Sequence, residues 1–299
     1  MGEQDYTRIT FSKFDRNWLN GVCAPLTVTA PQDAAAGRTT SVSVQVTSQQ
    51  AGDLSGAVTL SDLPAGWTAG TVPVPHLRPD ESTTVSVPLT VPAGTATNAY
   101  PVRALFTTAL GRSTTPNPTQ IVVRGGNTIW ADTTSRTFDG SALHDVSDQF
   151  GAVKDLTGGA VTINFRTTAT AAAATLLSSA DPISQVRDLV VSLNSGQPYV
   201  EFRTGSSTYP LRIQSSVNAA DGRDHELIFA SSNGISSLIL DGQVVGQTAG
   251  QRFFRDVDDM TTGLPNLTIG GNRAYVTPPG ALTNRWLYTG TIQSIRITS

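Results

Sequence analysis

Short runs in which apolar and polar residues alternate recur along almost the whole chain, separated by a few turn residues. Thr40 to Thr47 sets Val42, Val44 and Val46 against polar neighbours, and Thr84 to Val91 does the same with Val85, Val87, Leu89 and Val91. Tyr100 to Phe106 repeats the pattern with Tyr100, Val102, Ala104 and Phe106. Alternation with a period of two is the mark of a strand with one face on a core. Composition agrees: 41 Thr, 27 Ser and 27 Gly stand beside only two Lys and four Glu, so the usual material of surface helices is missing. The chain is therefore expected to be all-β.

Charge excludes several partners. The chain carries 20 basic and 23 acidic side chains, a formal charge of -3, and a charged fraction of 14%, against about 25% for an average soluble domain. Without a basic block there is no electrostatic footprint for nucleic acid and no polybasic membrane contact. No apolar run approaches the ~18 residues of a membrane span. The opening MGEQDYTRIT has neither a basic n-region nor an apolar h-region, so a signal peptide is absent from this chain. Cys23 is the single cysteine, which precludes an internal disulfide and a cysteine metal cluster. His76, His144 and His225 are too scattered to suggest a zinc site.

The chain divides into three parts. Residues 1–22 contain one alternating run within Tyr6 to Leu19, an orphan strand without an evident partner. Residues 23–125 hold about seven short strand signals, the number expected of an immunoglobulin-like β-sandwich. Pro88 inside one of them predicts a position near a sheet edge or at a bulge. Gly125-Gly126 marks the next boundary, and residues 126–299 carry more and longer strand signals. There Leu240-Asp241-Gly242-Gln243-Val244 reads as a hairpin with a two-residue Asp-Gly turn. Two large sheets of this kind are expected to form a jelly roll. Ala171 to Ala174 is at most a turn or two of helix.

The punctuation of the last part carries a resemblance. DGRDHELIFAS (Asp221 to Ser231), SLILDGQVV (Ser237 to Val245), LTIGGNR (Leu267 to Arg273) and LYTGTIQSIRI (Leu287 to Ile297) occur in the order seen in laminin-G and concanavalin-A-like jelly rolls. Within that group, LTGGAVTINFRTT (Leu156 to Thr168) and TLLSSAD (Thr175 to Asp181) look most like the sialic-acid-binding carbohydrate-binding modules of bacterial sialidases. The stretch from Gly66 to Ala104 resembles the small sandwich domain that links modules in secreted actinobacterial glycosidases, and Ile9 to Val28 resembles the end of a sialidase propeller. Together these imply the accessory, C-terminal half of a secreted sialidase, whose catalytic propeller lies in cis and outside this chain. The Ser-x-Asp-x-Gly-x-x-Trp boxes of a propeller are missing, so no hydrolysis is expected from the chain alone.

The resemblance also implies a site. Sialic acid presents a carboxylate, a glycerol tail and an N-acetyl group, which call for a guanidinium fork, an acceptor and an apolar wall. Glu201 and Arg203 in YVEFR are two apart on an expected strand and so share a face. The family pattern has the same Glu-x-Arg, with Arg on the ligand and Glu accepting from its amide or hydroxyls. Arg273, after the IGG turn, corresponds to a second family arginine, and Tyr288 to a wall or hydroxyl contact; Trp286 is the tryptophan placed to line a sugar site. Where the family often has Tyr on the preceding strand, this chain has DLVVSL. The competing interpretation of Glu201 and Arg203 is a same-face surface ion pair of under ~1 kcal/mol.

Other features are expected to be structural. Arg255 to Asp259 gathers three carboxylates in what reads as a solvated loop; calcium is the alternative there, and no other cofactor is expected. Asp241 is assigned to its turn, His225 to a hydrogen-bonded structural role, and Trp67 and Trp130 to packing. Cys23 is either a reduced buried residue or one whose partner lies in the missing propeller. Carbohydrate binding, of terminal sialic acid on glycans or glycoproteins, is thus the leading expectation. The alternatives are a spacer or lectin for another polysaccharide, or a concanavalin-A-like glucanase; the last needs paired Glu residues, and Glu3, Glu81, Glu201 and Glu226 form no such motif.

Overall fold

The structure, a computed structural model, describes residues 22, 24–31, 33–50, 52–115, 117–184, 186–276 and 281–299. The strand expected within Tyr6 to Leu19 and the cysteine Cys23 lie outside the described residues. Two compact units emerge: one runs up to Pro92 and includes Tyr100–Ile121, and the other combines Ala93–Ala99 with Val122–Ser299.

The first unit draws on β1 (Leu26–Thr29), β2 (Ala34–Ala35), β3 (Thr39–Thr47), β4 (Leu54–Ser61), β5 (Thr68–Ala69), β6 (Val72–Leu77), β7 (Ser82–Thr90), β8 (Asn98–Thr108), β9 (Gly111–Thr114) and β10 (Thr119–Arg124). One sheet has the order β1-β3-β7-β5 and the other β2-β10-β8-β4-β6, with β9 on β8. The alternation fixes what is inside: Val42, Val44, Val46, Val87, Leu89, Val102, Ala104 and Phe106 are all fully buried. Trp67 packs on Tyr100 with ring centroids 5.1 Å apart. Pro88 opposes Ser41 of β3, while β5 pairs only with Leu89 and Thr90 and Gly70 then donates to the Pro88 carbonyl at 2.8 Å. The proline therefore sits where the β5 pairing ends, so its missing N–H removes at most one bond to that short strand.

The second unit contains β11 (Thr128–Asp132), β12 (Arg136–Asp139), β13 (His144–Asp145), α1 (Phe150–Val153), β14 (Gly159–Arg166), β15 (Ala174–Ala180), β16 (Asp188–Asn194), β17 (Gln197–Arg203), β18 (Leu211–Gln214), β19 (Asp224–Ser232), β20 (Ile235–Leu240), β21 (Gln243–Ala249), α2 (Phe254–Met260), β22 (Asn266–Ile269), β23 (Asn272–Val276), β24 (Ala281–Arg285) and β25 (Thr289–Thr298). A seven-stranded sheet, β11-β25-β14-β19-β20-β21 with β12 on β25, faces a six-stranded one of order β13-β22-β15-β16-β17-β18. β23 and β24 form a separate hairpin. Val161, Ile163, Phe165 and Phe229 from the first sheet meet Leu177, Leu189, Val191, Val200 and Phe202 from the second in one core. This is the expected jelly-roll layout, with apolar inner faces closing on each other.

The local expectations resolve in different ways. Ala171 to Ala173 are not helical, and Ala174 already opens β15. Arg255 to Asp259 is helix α2 rather than a solvated loop, because Phe254 and Val257, three apart, are both fully buried in the core. Asp256 caps that helix by accepting the Phe253 N–H at 2.9 Å, and Asp259 pairs with Arg255 at 2.8 Å. The hairpin turn is where it was expected: Asp241 (φ 50°) and Gly242 (φ 77°) both take the left-handed backbone of a two-residue turn, with Leu240 opposite Gln243. Yet Asp241 does more than turn the chain. Its Oδ1 accepts the Glu226 N–H at 2.9 Å and its Oδ2 meets His225 Nδ1 at 2.8 Å, while Asp221 Oδ1 meets His225 Nε2 at 3.0 Å.

His225 is thus clamped between two carboxylates. Burial works against its charge, but the hydrogen bonds it donates to Asp241 and Asp221 prevail and raise its pKa above the ordinary 6.5. A raised folded-state pKa gives stability that is full below the unfolded value of 6.5 and is lost as pH rises through the folded one. His225→Gln should therefore lower unfolding stability by about 1 kcal/mol at pH 6 and by much less at pH 9. Thermal unfolding of both proteins across that range checks this; an equal loss at every pH would mean that the ring acts by packing alone.

Candidate functional site

β16 and β17 build most of the site. They run antiparallel in a register that sets Asp188 against Arg203, Val190 against Glu201 and Ser192 against Tyr199. Alternation then places these six side chains on one face, while Leu189, Val191, Val200 and Phe202 go to the core. β18 extends the outer face with Arg212 opposite Glu201.

Asp188 is the centre of the arrangement and is only 1% exposed. An ionised carboxylate at that depth needs charged donors around it. Arg203 supplies two, Nε at 3.1 Å and Nη2 at 2.8 Å, in a fork that fixes the guanidinium plane. Asn272 Nδ2 and Arg285 Nη2 each add a bond of 3.1 Å to Oδ2. Burial opposes the charge on Arg203, but the Asp188 bonds and charge outweigh it and raise its pKa. At Arg285 burial wins over Asp188 and the pKa is lowered.

The pocket beside this network is small, about 150 Å³. Glu201 and Tyr199 supply its polar wall, with Ser192 and Asn194 alongside. The Tyr199 hydroxyl donates to Glu201 Oε2 at 2.6 Å. Burial, and then the neighbouring carboxylate, push the phenol well above its usual range, so it stays a donor. Trp286, Val190, Ala172 and Ala173 form the apolar wall. Trp286 reaches it on a left-handed backbone (φ 53°), unusual for a bulky residue. Its carbonyl accepts the Thr175 N–H at 2.8 Å, and its ring lies 4.0 Å from the Arg285 guanidinium and 5.7 Å from that of Arg203.

The expected site residues divide. Glu201 and Arg203 do share a face, and Glu201 and Trp286 line one pocket. Arg273 does not join them: its guanidinium pairs with Asp145. The reason is the pleat, since Asn272 and Arg285 are the cross-strand pair that reaches Asp188, and Arg273 is one residue out of phase with them. Tyr288 is fully buried, stands edge-on to Phe138 at 6.1 Å and donates its hydroxyl to the Arg166 carbonyl at 2.9 Å, so it is a core residue and no wall. Sequence reasoning missed Asp188, Arg285 and Tyr199. The signals were an acid opening the apolar run DLVVSL, an arginine next to Trp286, and a tyrosine two residues before Glu201 that supplies a phenol from the same strand. Among the described residues no group of three or more His, Cys, Asp and Glu is placed to hold a metal ion. Glu226, on the other sheet, pairs with Arg124 at 2.5 Å and cannot partner Glu201.

Removing Asp188 would leave two guanidiniums facing each other without their shared counter-charge. Asp188→Ala is expected to lose about 3–5 kcal/mol of unfolding free energy in urea, and Asp188→Asn less, since the amide retains one acceptor. A loss under about 1 kcal/mol for both would reduce the network to a surface pair.

Residues 34–108 match the family NPCBM-associated, NEW3 domain of alpha-galactosidase, and residues 165–299 match the Laminin G domain family. A search of curated proteins finds no match. Similar solved structures include the Ruminococcus gnavus IT-sialidase CBM40 bound to alpha2,3 sialyllactose, at 18% identity and a TM-score of 0.47, covering 57% of this chain and 92% of that one. A leech intramolecular trans-sialidase aligns at 16% identity and a TM-score of 0.47, over 58% of this chain and 26% of its own. Domains LG4-5 of the mouse laminin alpha1 chain align at 14% identity and a TM-score of 0.36, over 92% and 87%. The chain is thus all-β, with a first segment that matches the NEW3 domain and a last segment that matches the laminin G domain.

Proposed function

We propose that the pocket beside Asp188 binds the terminal sialic acid of a glycan, and that the chain is the accessory, non-catalytic part of a secreted bacterial sialidase, with its catalytic propeller in cis. The observation that carries the sugar assignment is the convergence of Arg203 and Arg285 on one buried carboxylate next to a pocket walled by Glu201 and Trp286. Asp188 balances one of the two guanidinium charges, which leaves this trio formally positive and suited to one carboxylate. Glu201, oriented by Tyr199, accepts from an amide or hydroxyl. Trp286, Val190 and the two alanines suit an N-acetyl methyl group. The assignment to a sialidase rests on the sequence resemblances, and weak single-site binding would serve to hold such an enzyme on clustered glycans.

Calorimetric titration with α2,3- and α2,6-sialyllactose, and with lactose as control, tests the sugar. Saturable binding of the sialylated sugars alone is expected, weakened roughly tenfold or more by Arg203→Lys and by Glu201→Gln. Equal binding of lactose, or no binding by any of the three, would overturn the proposal. No hydrolysis of 4-methylumbelliferyl sialic acid is expected, and turnover would show a catalytic site within the chain.

A further inference from the structure

Arg212 stands apart from the other guanidiniums of the site. It is exposed, on β18, directly opposite Glu201. Its guanidinium lies over two rings at once, 5.4 Å from the centroid of Tyr199 and 5.2 Å from that of Tyr209. Tyr199 is a pocket wall; Tyr209 is 37% exposed and borders the outside. The turn that presents Tyr209 is closed by its own backbone, Thr204 N–H to the Thr208 carbonyl at 3.1 Å and Thr208 N–H to the Gly205 carbonyl at 3.3 Å. Pro210 then stiffens the entry into β18.

We infer that Arg212 and Tyr209 form a second subsite that holds the neutral sugar to which the terminal sialic acid is attached. This rests on the sialic-acid proposal above. The planar guanidinium, held between two rings, offers several donors without much ordering on binding, and the exposed Tyr209 ring offers a flat amphipathic surface. Hexose hydroxyls accept from the former and the C–H face of the hexose lies on the latter. Charge decides for a neutral unit. Arg203, Arg285 and Arg212 face the two carboxylates Asp188 and Glu201 on this side of the sheet, which leaves one formal positive charge, and the sialic acid carboxylate takes it. A second anionic sugar would find no unmatched charge at this end.

The full chain is titrated with the α-methyl glycoside of N-acetylneuraminic acid, with α2,3- and α2,6-sialyllactose, and with an α2,8-linked disialyl glycan. At least one sialyllactose should bind roughly tenfold tighter than the methyl glycoside, a gain of about 1.4 kcal/mol. Tyr209→Ala should erase that gain and keep methyl glycoside binding within about twofold, with an unchanged unfolding midpoint. Methyl glycoside and both sialyllactoses binding equally would overturn the subsite while leaving the sialic-acid pocket intact. So would a variant that weakens all ligands alike, and tighter binding of the disialyl glycan would overturn its neutral character. If the wild-type chain bound none of the four, the sialic-acid assignment itself would fall.

Discussion

The buried carboxylate of Asp188 joins parts of the second unit that the chain order keeps far apart. It lies on β16, grips the Arg203 fork from β17, and receives Asn272 and Arg285 from the β23–β24 hairpin. Since Trp286 follows Arg285 directly and its ring lies against that guanidinium, the apolar wall of the pocket hangs on the same acid. Apolar packing would seal this space as well or better, because burying charges carries a desolvation penalty. What the charged network adds is orientation: a fork bond defines an angle, which dispersion between methyl groups does not.

That network is tenable because the six-stranded sheet is buried on both faces for different reasons. One face is apolar and closes the core with Leu189, Val191, Val200 and Phe202. The other is polar, with Ser178, Asp188, Ser192 and Thr268 almost wholly covered. A low-dielectric surrounding strengthens every bond to Asp188, and makes each missing one correspondingly costly. The rigidity this imposes passes to Glu201 and Tyr199, which sit one and two rungs along the same face from Asp188 and Arg203.

How far the sequence shows this depends on the range of the interaction. Alternation is local, so the strands, the Asp241-Gly242 turn and the shared face of Glu201 and Arg203 could be read without a structure. Helix α2 was hidden because its carboxylates suggested solvent, while the adjacent Phe253 and Phe254, both fully buried, were the stronger signal. The partners of Asp188 were out of reach for another reason. Arg285 and Asn272 are 97 and 84 residues away along the chain, and only the β23–β24 register decides that they, and not Arg273, point to it. Tyr288 misled because an aromatic beside a glycine near a sheet end looks the same whether it turns inward to Phe138 or outward to a ligand.

Under the proposed sugar binding, the spacing of the two sequence-legible residues carries a selectivity of its own. Side chains two apart on a strand are separated by about 6.8 Å along it, and here both ends are fixed, Arg203 by Asp188 and Glu201 by Tyr199. Tyr199 occupies Oε2 of Glu201, so a ligand donor meets Oε1. A ligand that satisfies both ends must hold an anion and a hydrogen-bond donor on opposite sides of a rigid frame about one sugar ring across. A neutral hexose lacks the anion, and a simple carboxylate lacks the distant donor. Each would engage only one of the two pre-oriented groups, so a ligand that engages both is favoured over either.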